Sequence, residues 1–181
     1  MLRIPTAALL ISGFLCAVFV CSVFVPSANA GQFVAQEEDF VCVTDWTLVG
    51  NLRVHNPGPR RLKRAIRLIE NDRPRRHLPK GTIVQLIPQE AMVKRGRRFN
   101  PKFNGWEFFR INDTAAGTEI VQRGREEVVN GFTGESCQSC HAAAKRHDFV
   151  CANDHGCVPL PPFVTDEFIA LIQAADKRCA P

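Results

Sequence analysis

The sequence predicts a mainly β, α+β domain with a few short helices. Between Thr82 and Gln122, runs of β-branched and aromatic residues alternate with turn-forming ones. The main helical patterns fall at Arg61–Glu70, in a stretch running through Ala142–Lys145, and at Thr165–Asp176. Strong breakers at Asn56-Pro57-Gly58-Pro59 and Arg73–Pro79 rule out long helices between them.

Taken in order, Gly31–Asp39 is a short polar opening. Phe40–Val43 and Trp46–Val49 are β-rich and read as a first strand, or as a strand and turn. Arg61–Glu70 places Leu62, Ile66 and Ile69 on one helical face and basic residues on the other. The prolines of Arg73–Pro79 end it. Gly81–Ile87 reads as a buried strand entered through a turn. Pro88–Lys94 reads as a short helix or turn with Pro88 at its start. Gly105–Ile111 is the next strand, and Glu119–Gln122 follows after a turn between Asn112 and Gly117. Gly131–Glu135 leads into Cys137–His141, whose Ala142-Ala143-Ala144-Lys145 continuation favours helix. Cys151–Pro162 is loop, and Thr165–Asp176 closes the chain as an amphipathic helix.

The first 30 residues form a separate unit. A basic start, an apolar run over Ala7–Val25 and a small-x-small site at Ala28-Asn29-Ala30 make the pattern of a secretory signal peptide. An uncleaved anchor is the rival, since the run is about long enough to span a bilayer. Ser12, Gly13 and Ser22 within the run, together with the Ala-x-Ala site, favour cleavage and export to the periplasm. Residues 31–181 then suffice for a single domain. Losing Arg3 lowers the formal charge of +5 to about +4. Of eight cysteines, six remain.

Cys137-Gln138-Ser139-Cys140-His141 is the signature for covalent attachment of a c-type haem. Two residues between the thiols let one helical turn reach both porphyrin vinyl groups, and the following histidine falls beneath the iron. Two uses compete. A zinc site would join Cys137 and Cys140 to Cys151, His155 and Cys157, but leaves the adjacent His141 unexplained. A thioredoxin-like redox pair would need a preceding βαβ unit, which is absent. Haem stands ahead of both. It leaves Cys42, Cys151, Cys157 and Cys179 for two disulfides, with three connectivities open. Cys42 has no partner nearby in sequence, so a tie to the tail is preferred.

The motif comes late, and no methionine follows it; Met92, the only methionine after the leader, lies upstream. That departs from ordinary small cytochromes c. A four-helix bundle is disfavoured too, because Thr82–Gln122 is strand-like.

Leu78-Pro79-Lys80-Gly81-Thr82-Ile83-Val84, Glu90-Ala91-Met92-Val93-Lys94, Gly105-Trp106-Glu107-Phe108-Phe109, the late haem motif and Asp148-Phe149-Val150 form an ordered series. Together they resemble the cytochrome P-460 family, which includes the cytochrome c′-beta proteins. The resemblance covers about Leu78 to Val150. It implies a mainly antiparallel β fold, one c-type haem, a five-coordinate iron open on its distal side, a possible homodimer, and Glu90 as a distal-pocket carboxylate. Two departures matter. Where hydroxylamine-oxidising members carry a haem-linked lysine, this chain reads Gln85-Leu86-Ile87, and the next lysine, Lys94, matches the one after the family's Glu-Ala pair. The cysteine-rich tail after Val150 falls outside the pattern.

A buried Glu90 would act as a general base at a raised pKa; the alternative is a helix-start glutamate facing solvent. Phe103, Trp106, Phe108 and Phe109 could wall a haem pocket or simply fill the core, and strand alternation lets only one of Phe108 and Phe109 face the haem. Met92, His55, His77, His147 and His155 are the alternatives for a sixth iron ligand. The run Arg60–Lys80 carries nine Lys or Arg against Glu70 and Asp72, a surface for an acidic redox partner or an anionic membrane, or a solvated face. No nucleic-acid motif accompanies it. The expectation is therefore an exported monohaem cytochrome that binds or redox-converts small nitrogen ligands, nitric oxide or hydroxylamine, at an open iron. A six-coordinate electron carrier and a non-haem zinc- or disulfide-stapled module are the rivals.

Overall fold

The structure, a computed structural model, describes residues 32–152, 157 and 159–179; the expected leader and His155 lie outside the described residues. Six strands form one antiparallel sheet in chain order: β1 (Thr47–Val49), β2 (Leu52–His55), β3 (Ile83–Gln85), β4 (Glu90–Lys94), β5 (Trp106–Thr114) and β6 (Gly117–Gly124). The helices among the described residues are α1 (Pro59–Glu70), α2 (Cys137–His141) and α3 (Asp166–Ala174). This is the mainly β, α+β class that the sequence predicts. No described helix is long and apolar enough to cross a membrane.

Helix α1 starts two residues before the predicted Arg61, because Pro59 occupies the first turn, where its missing N–H costs nothing. Thr165 caps α3 by accepting from the Phe168 N–H at 3.2 Å. Gly105 (φ +88°) is required where β5 begins: a Cβ there would lie 2.7 Å from the Gly96 carbonyl oxygen.

Three readings change. Pro88–Lys94 is not a helix: Pro88-Gln89 make a tight turn and Glu90–Lys94 is strand β4. Both faces of the sheet are covered there, so Ala91, Met92 and Val93 are all buried and no polar alternation betrays the strand. The Gln85 amide holds the turn by donating to the carbonyls of Ile87, Pro88 and Glu90 at 3.0–3.4 Å. Phe40–Val43 is not a strand but extended chain entering a 3-10 turn at Val43–Asp45, and β2 is a strand the sequence reading did not name. After α2 the chain continues as a 3-10 helix, Ala142–His147, with a kink at Ala144, rather than as α-helix.

Strand alternation divides the core. On one face, Val54, Val84, Met92, Trp106 and Phe108 pack with Ala65 and Ile69 of α1 and with Val128, Cys137, Phe149 and Val150. On the other, Ile83, Ala91, Val93, Phe109 and Ile111 pack beneath the N-terminal segment of Ala35, Phe40, Val43 and Trp46. Phe108 and Phe109 therefore point to opposite faces, as their alternation predicts: Phe109 meets Phe40 at 5.1 Å and Phe108 meets His141 at 5.6 Å between ring centroids.

The second face is closed by the chain's two ends. Cys42 is bonded to Cys179, the predicted tie to the tail, and Cys151 to Cys157. Val43 N–H donates to Asp176 at 2.8 Å, and Arg178 reaches the Phe40 carbonyl at 3.1 Å. The covalent link removes freedom from a loop of 137 residues in the unfolded chain.

Candidate functional site

Helix α2 is a single turn, and its position is set by local hydrogen bonds. Ser136 caps it, accepting from Ser139 N–H at 3.3 Å. The Cys137 N–H donates to the Val128 carbonyl at 2.9 Å. Buried Gln138 docks the turn from its other side: its carbonyl accepts from Val128 N–H at 2.9 Å, and its amide donates to the Glu126 carbonyl. Gln138 occupies a variable position of the motif, so the motif itself gives no hint of this role.

The six described cysteines divide cleanly. Four are spent in disulfides, while Cys137 and Cys140 belong to neither bridge. This removes Cys151 and Cys157 from the zinc set that the sequence allows, and no group of three or more His, Cys, Asp or Glu gathers as a metal site among the described residues. Burial, reinforced by the Glu90 carboxylate, pushes the Cys137 thiol up to about 12. Such a thiol stays protonated at neutral pH, unlike the activated cysteine of a redox pair.

His141 is oriented through Nδ1, which also lies 3.4 Å from the Cys151 sulfur. Its Nδ1 lies 2.8 Å from the Phe149 carbonyl oxygen, which can only accept, so Nδ1 carries the proton and donates. Nε2 is left with a free lone pair. A ring nitrogen donating to a carbonyl while the other faces a metal is the standard arrangement of a ligating histidine. Burial holds the ring's pKa below its ordinary value and keeps it neutral. The residues thus fit a c-type haem: two thiols outside the disulfides on one turn and an adjacent imidazole whose Nε2 carries the lone pair, with the porphyrin supplying the equatorial donors.

The Phe149 carbonyl is itself held by a network absent from the sequence reading. Asp148 and Phe149 both adopt left-handed backbone, φ +56° and +64°, an unfavourable conformation for non-glycine residues. Asp148 is fully buried and makes bidentate bonds to Lys94 Nζ at 2.6 and 2.7 Å. It also accepts from Leu78 N–H at 2.8 Å, Asn104 Nδ2 at 3.1 Å and His77 Nδ1 at 3.0 Å. Trp106 Nε1 donates to the Asp148 carbonyl at 2.6 Å, and the Lys94 ammonium sits 4.7 Å from the Trp106 ring centroid. Phe149 N–H donates to Ala144, and its ring packs on Phe103 at 4.8 Å. The strained turn persists because every polar group in it is committed.

Glu90 opens β4 opposite Arg110, on the sheet face that carries Met92, Phe108 and Cys137. It is not at a helix start. Burial raises its pKa from 4.5 to about 7, only partly opposed by the Gly131 backbone, and Oε1 is buried without a hydrogen-bond partner. Of the predicted aromatic wall, Phe103, Trp106 and Phe108 lie on this face and Phe109 does not. His55 is likewise turned away, stacked on Trp46 at 5.3 Å. His77 is bound to Asp148 and His147 to Asp72 at 2.5 Å. Met92 is buried on the site's face, between Val84 and Phe108. A surface cleft of about 350 Å³, lined by Gln36–Glu38 and Ile120–Arg123, shares no residue with this site.

Compared with protein-family models, curated proteins and solved structures, the chain matches none.

Proposed function

We propose that this protein is an exported monohaem c-type cytochrome of the cytochrome P-460 and cytochrome c′-beta kind, binding or redox-converting small nitrogen ligands such as nitric oxide or hydroxylamine. The observation that carries the reading is the coincidence at α2: among the described residues, the two cysteines that lie outside the disulfides both belong to the Cys-x-x-Cys-His run, and its histidine donates through Nδ1, leaving the lone pair on Nε2. The bound haem would supply a redox-active iron that a small ligand can reach. The leader and the two disulfides support a periplasmic setting. A homodimer remains the expectation from the family resemblance.

Each side chain has a defined task in this reading. Cys137 and Cys140 anchor the macrocycle, and His141 ligates the iron. Phe108 packs beside the imidazole. Glu90, with a pKa near 7 and an unpartnered Oε1, takes up protons released when a nitrogen substrate is oxidised. Lys94 is committed to Asp148, and Gln85 to the β3–β4 turn, so neither offers a lysine amine for a haem cross-link. An unmodified haem is therefore expected.

A pyridine haemochrome assay on periplasmically expressed protein tests attachment. Covalent haem is expected, and its loss in Cys137→Ala and Cys140→Ala. Finding none in the parent protein would end the reading. The ferrous absorption spectrum then tests the open site: high-spin bands are expected. Sharp low-spin bands that Met92→Ala abolishes would replace it with a six-coordinate electron carrier, for which the placement of Met92 on the site's face is the supporting observation.

A further inference from the structure

The molecule's positive charge is segregated. Arg60, Arg61, Lys63, Arg64 and Arg67 stand exposed on α1, Arg73, Arg75 and Arg76 on the loop after it, and Lys145 and Arg146 just beyond α2. Those ten face only Glu70 and Asp72 within the same segments, while the rest of the chain holds 13 basic and 16 acidic side chains. Everything outside this surface is net acidic. The two basic segments are joined physically: Arg75 N–H donates to the Arg146 carbonyl at 2.6 Å, and Asp72 pairs with His147 at 2.5 Å. Leu68, Ile69 and Leu78 line a small hollow together with His147 and Val150. The basic surface is thus built onto the residues that directly follow His141.

We infer that this surface docks an acidic redox protein and brings it beside the haem-attachment segment. The inference rests on the proposed haem and adds to it the route by which electrons arrive. One electron passes from the reduced partner to the ferric iron, and no bond is made or broken. Eight of the ten residues are arginines, whose planar fork pairs bidentately with carboxylates. An anionic membrane is the other macromolecule that such charge attracts. Helix α1, however, turns Leu62, Ala65, Ile66 and Ile69 inward, which leaves its basic face without the apolar side chains that a surface-lying helix inserts into lipid. Docking to protein also accounts for the position of the patch at the haem segment, which binding to lipid does not require.

Stopped-flow reduction of the ferric holoprotein by reduced flavodoxin, an acidic one-electron donor, tests this. The rate is expected to fall about tenfold or more between about 20 and 200 mM salt. In Arg64→Gln/Arg67→Gln/Lys145→Gln/Arg146→Gln the low-salt rate should fall about tenfold and lose its salt dependence. Reduction by neutral hydroquinone should stay unchanged, which shows that the variant is folded and its haem intact. Arg98→Gln/Lys177→Gln, outside the patch, should behave like the parent. Equal flavodoxin rates in the patch variant and this control would overturn the proposal. So would patch-dependent binding to phosphatidylserine vesicles without salt-dependent reduction by flavodoxin. Sedimentation of the full chain with oxidised flavodoxin needs no haem: patch-dependent binding there with no haemochrome would sink the haem reading and keep the acidic partner, and no binding there would overturn the docking surface itself.

Discussion

Asp148 and Glu90 are carboxylates on the same side of one sheet, and the fold treats them in opposite ways. Asp148 is fully buried and saturated, with a lysine, a backbone N–H, an asparagine and a histidine all directed at it. Glu90 is half-buried with one buried oxygen unpartnered, and desolvation dominates its titration. A saturated carboxylate is fixed in position, which suits a group holding the strained turn that orients His141. An unsatisfied one exchanges protons near neutral pH, which suits chemistry. The same side-chain type is structural in one place and reactive in the other, and the difference lies in the number of donors that reach it.

The most damaging way to break this contrast is Asp148→Ala. It strands the Lys94 ammonium in the interior, unpairs Leu78 N–H, and removes a residue type that tolerates left-handed backbone. The expected loss is about 3–5 kcal/mol of unfolding free energy, read from urea denaturation. Lys94→Met should cost less, about 2–3 kcal/mol, because Asp148 keeps its other donors. If the two residues act as one unit, Lys94→Met/Asp148→Asn should lose clearly less than the sum of its single variants, a coupling of about 1 kcal/mol or more. Additive losses would mean that the pair does not hold the turn.

How much of this was legible in the sequence follows from the kind of signal each feature leaves. The haem run is a spacing motif and needs no fold to be seen. β5 could be read because its aromatic residues are unmistakable, and the opposed directions of Phe108 and Phe109 followed from strand alternation alone. β4 could not: covered on both faces and preceded by Pro88, it looks like a short helix. The Cys42 tie could be anticipated only as a tie to the tail, since pairing depends on distance in space. The Asp148 network was invisible for a related reason. Its members are spread from His77 to Asp148, and no local pattern marks a carboxylate as saturated. Glu90 was visible as a candidate, but its burial and its missing partner belong to the folded chain.

The smallest and most diagnostic effect concerns Glu90. Its carboxyl binds a proton more tightly when folded, about 7 against 4.5 unfolded, so between those values the native state carries more protons than the unfolded one. Stability from this group is therefore fully present below pH ~4.5 and is lost as pH rises through about 7. The loss should be about 2 kcal/mol, because partial exposure leaves the carboxylate some hydration. Glu90→Gln removes the ionisable group while keeping its size. Unfolding measured from pH 5 to 8 should show the variant as stable as the parent at the acid end and more stable at the alkaline end. Asp148→Asn should show no such gain at any pH, because it weakens a carboxylate the fold has already paired. A Glu90→Gln protein that is less stable than the parent at pH 8 would place Glu90 among the structural carboxylates with Asp148, and the proton acceptor of the proposed chemistry would have to be sought elsewhere on the site's face.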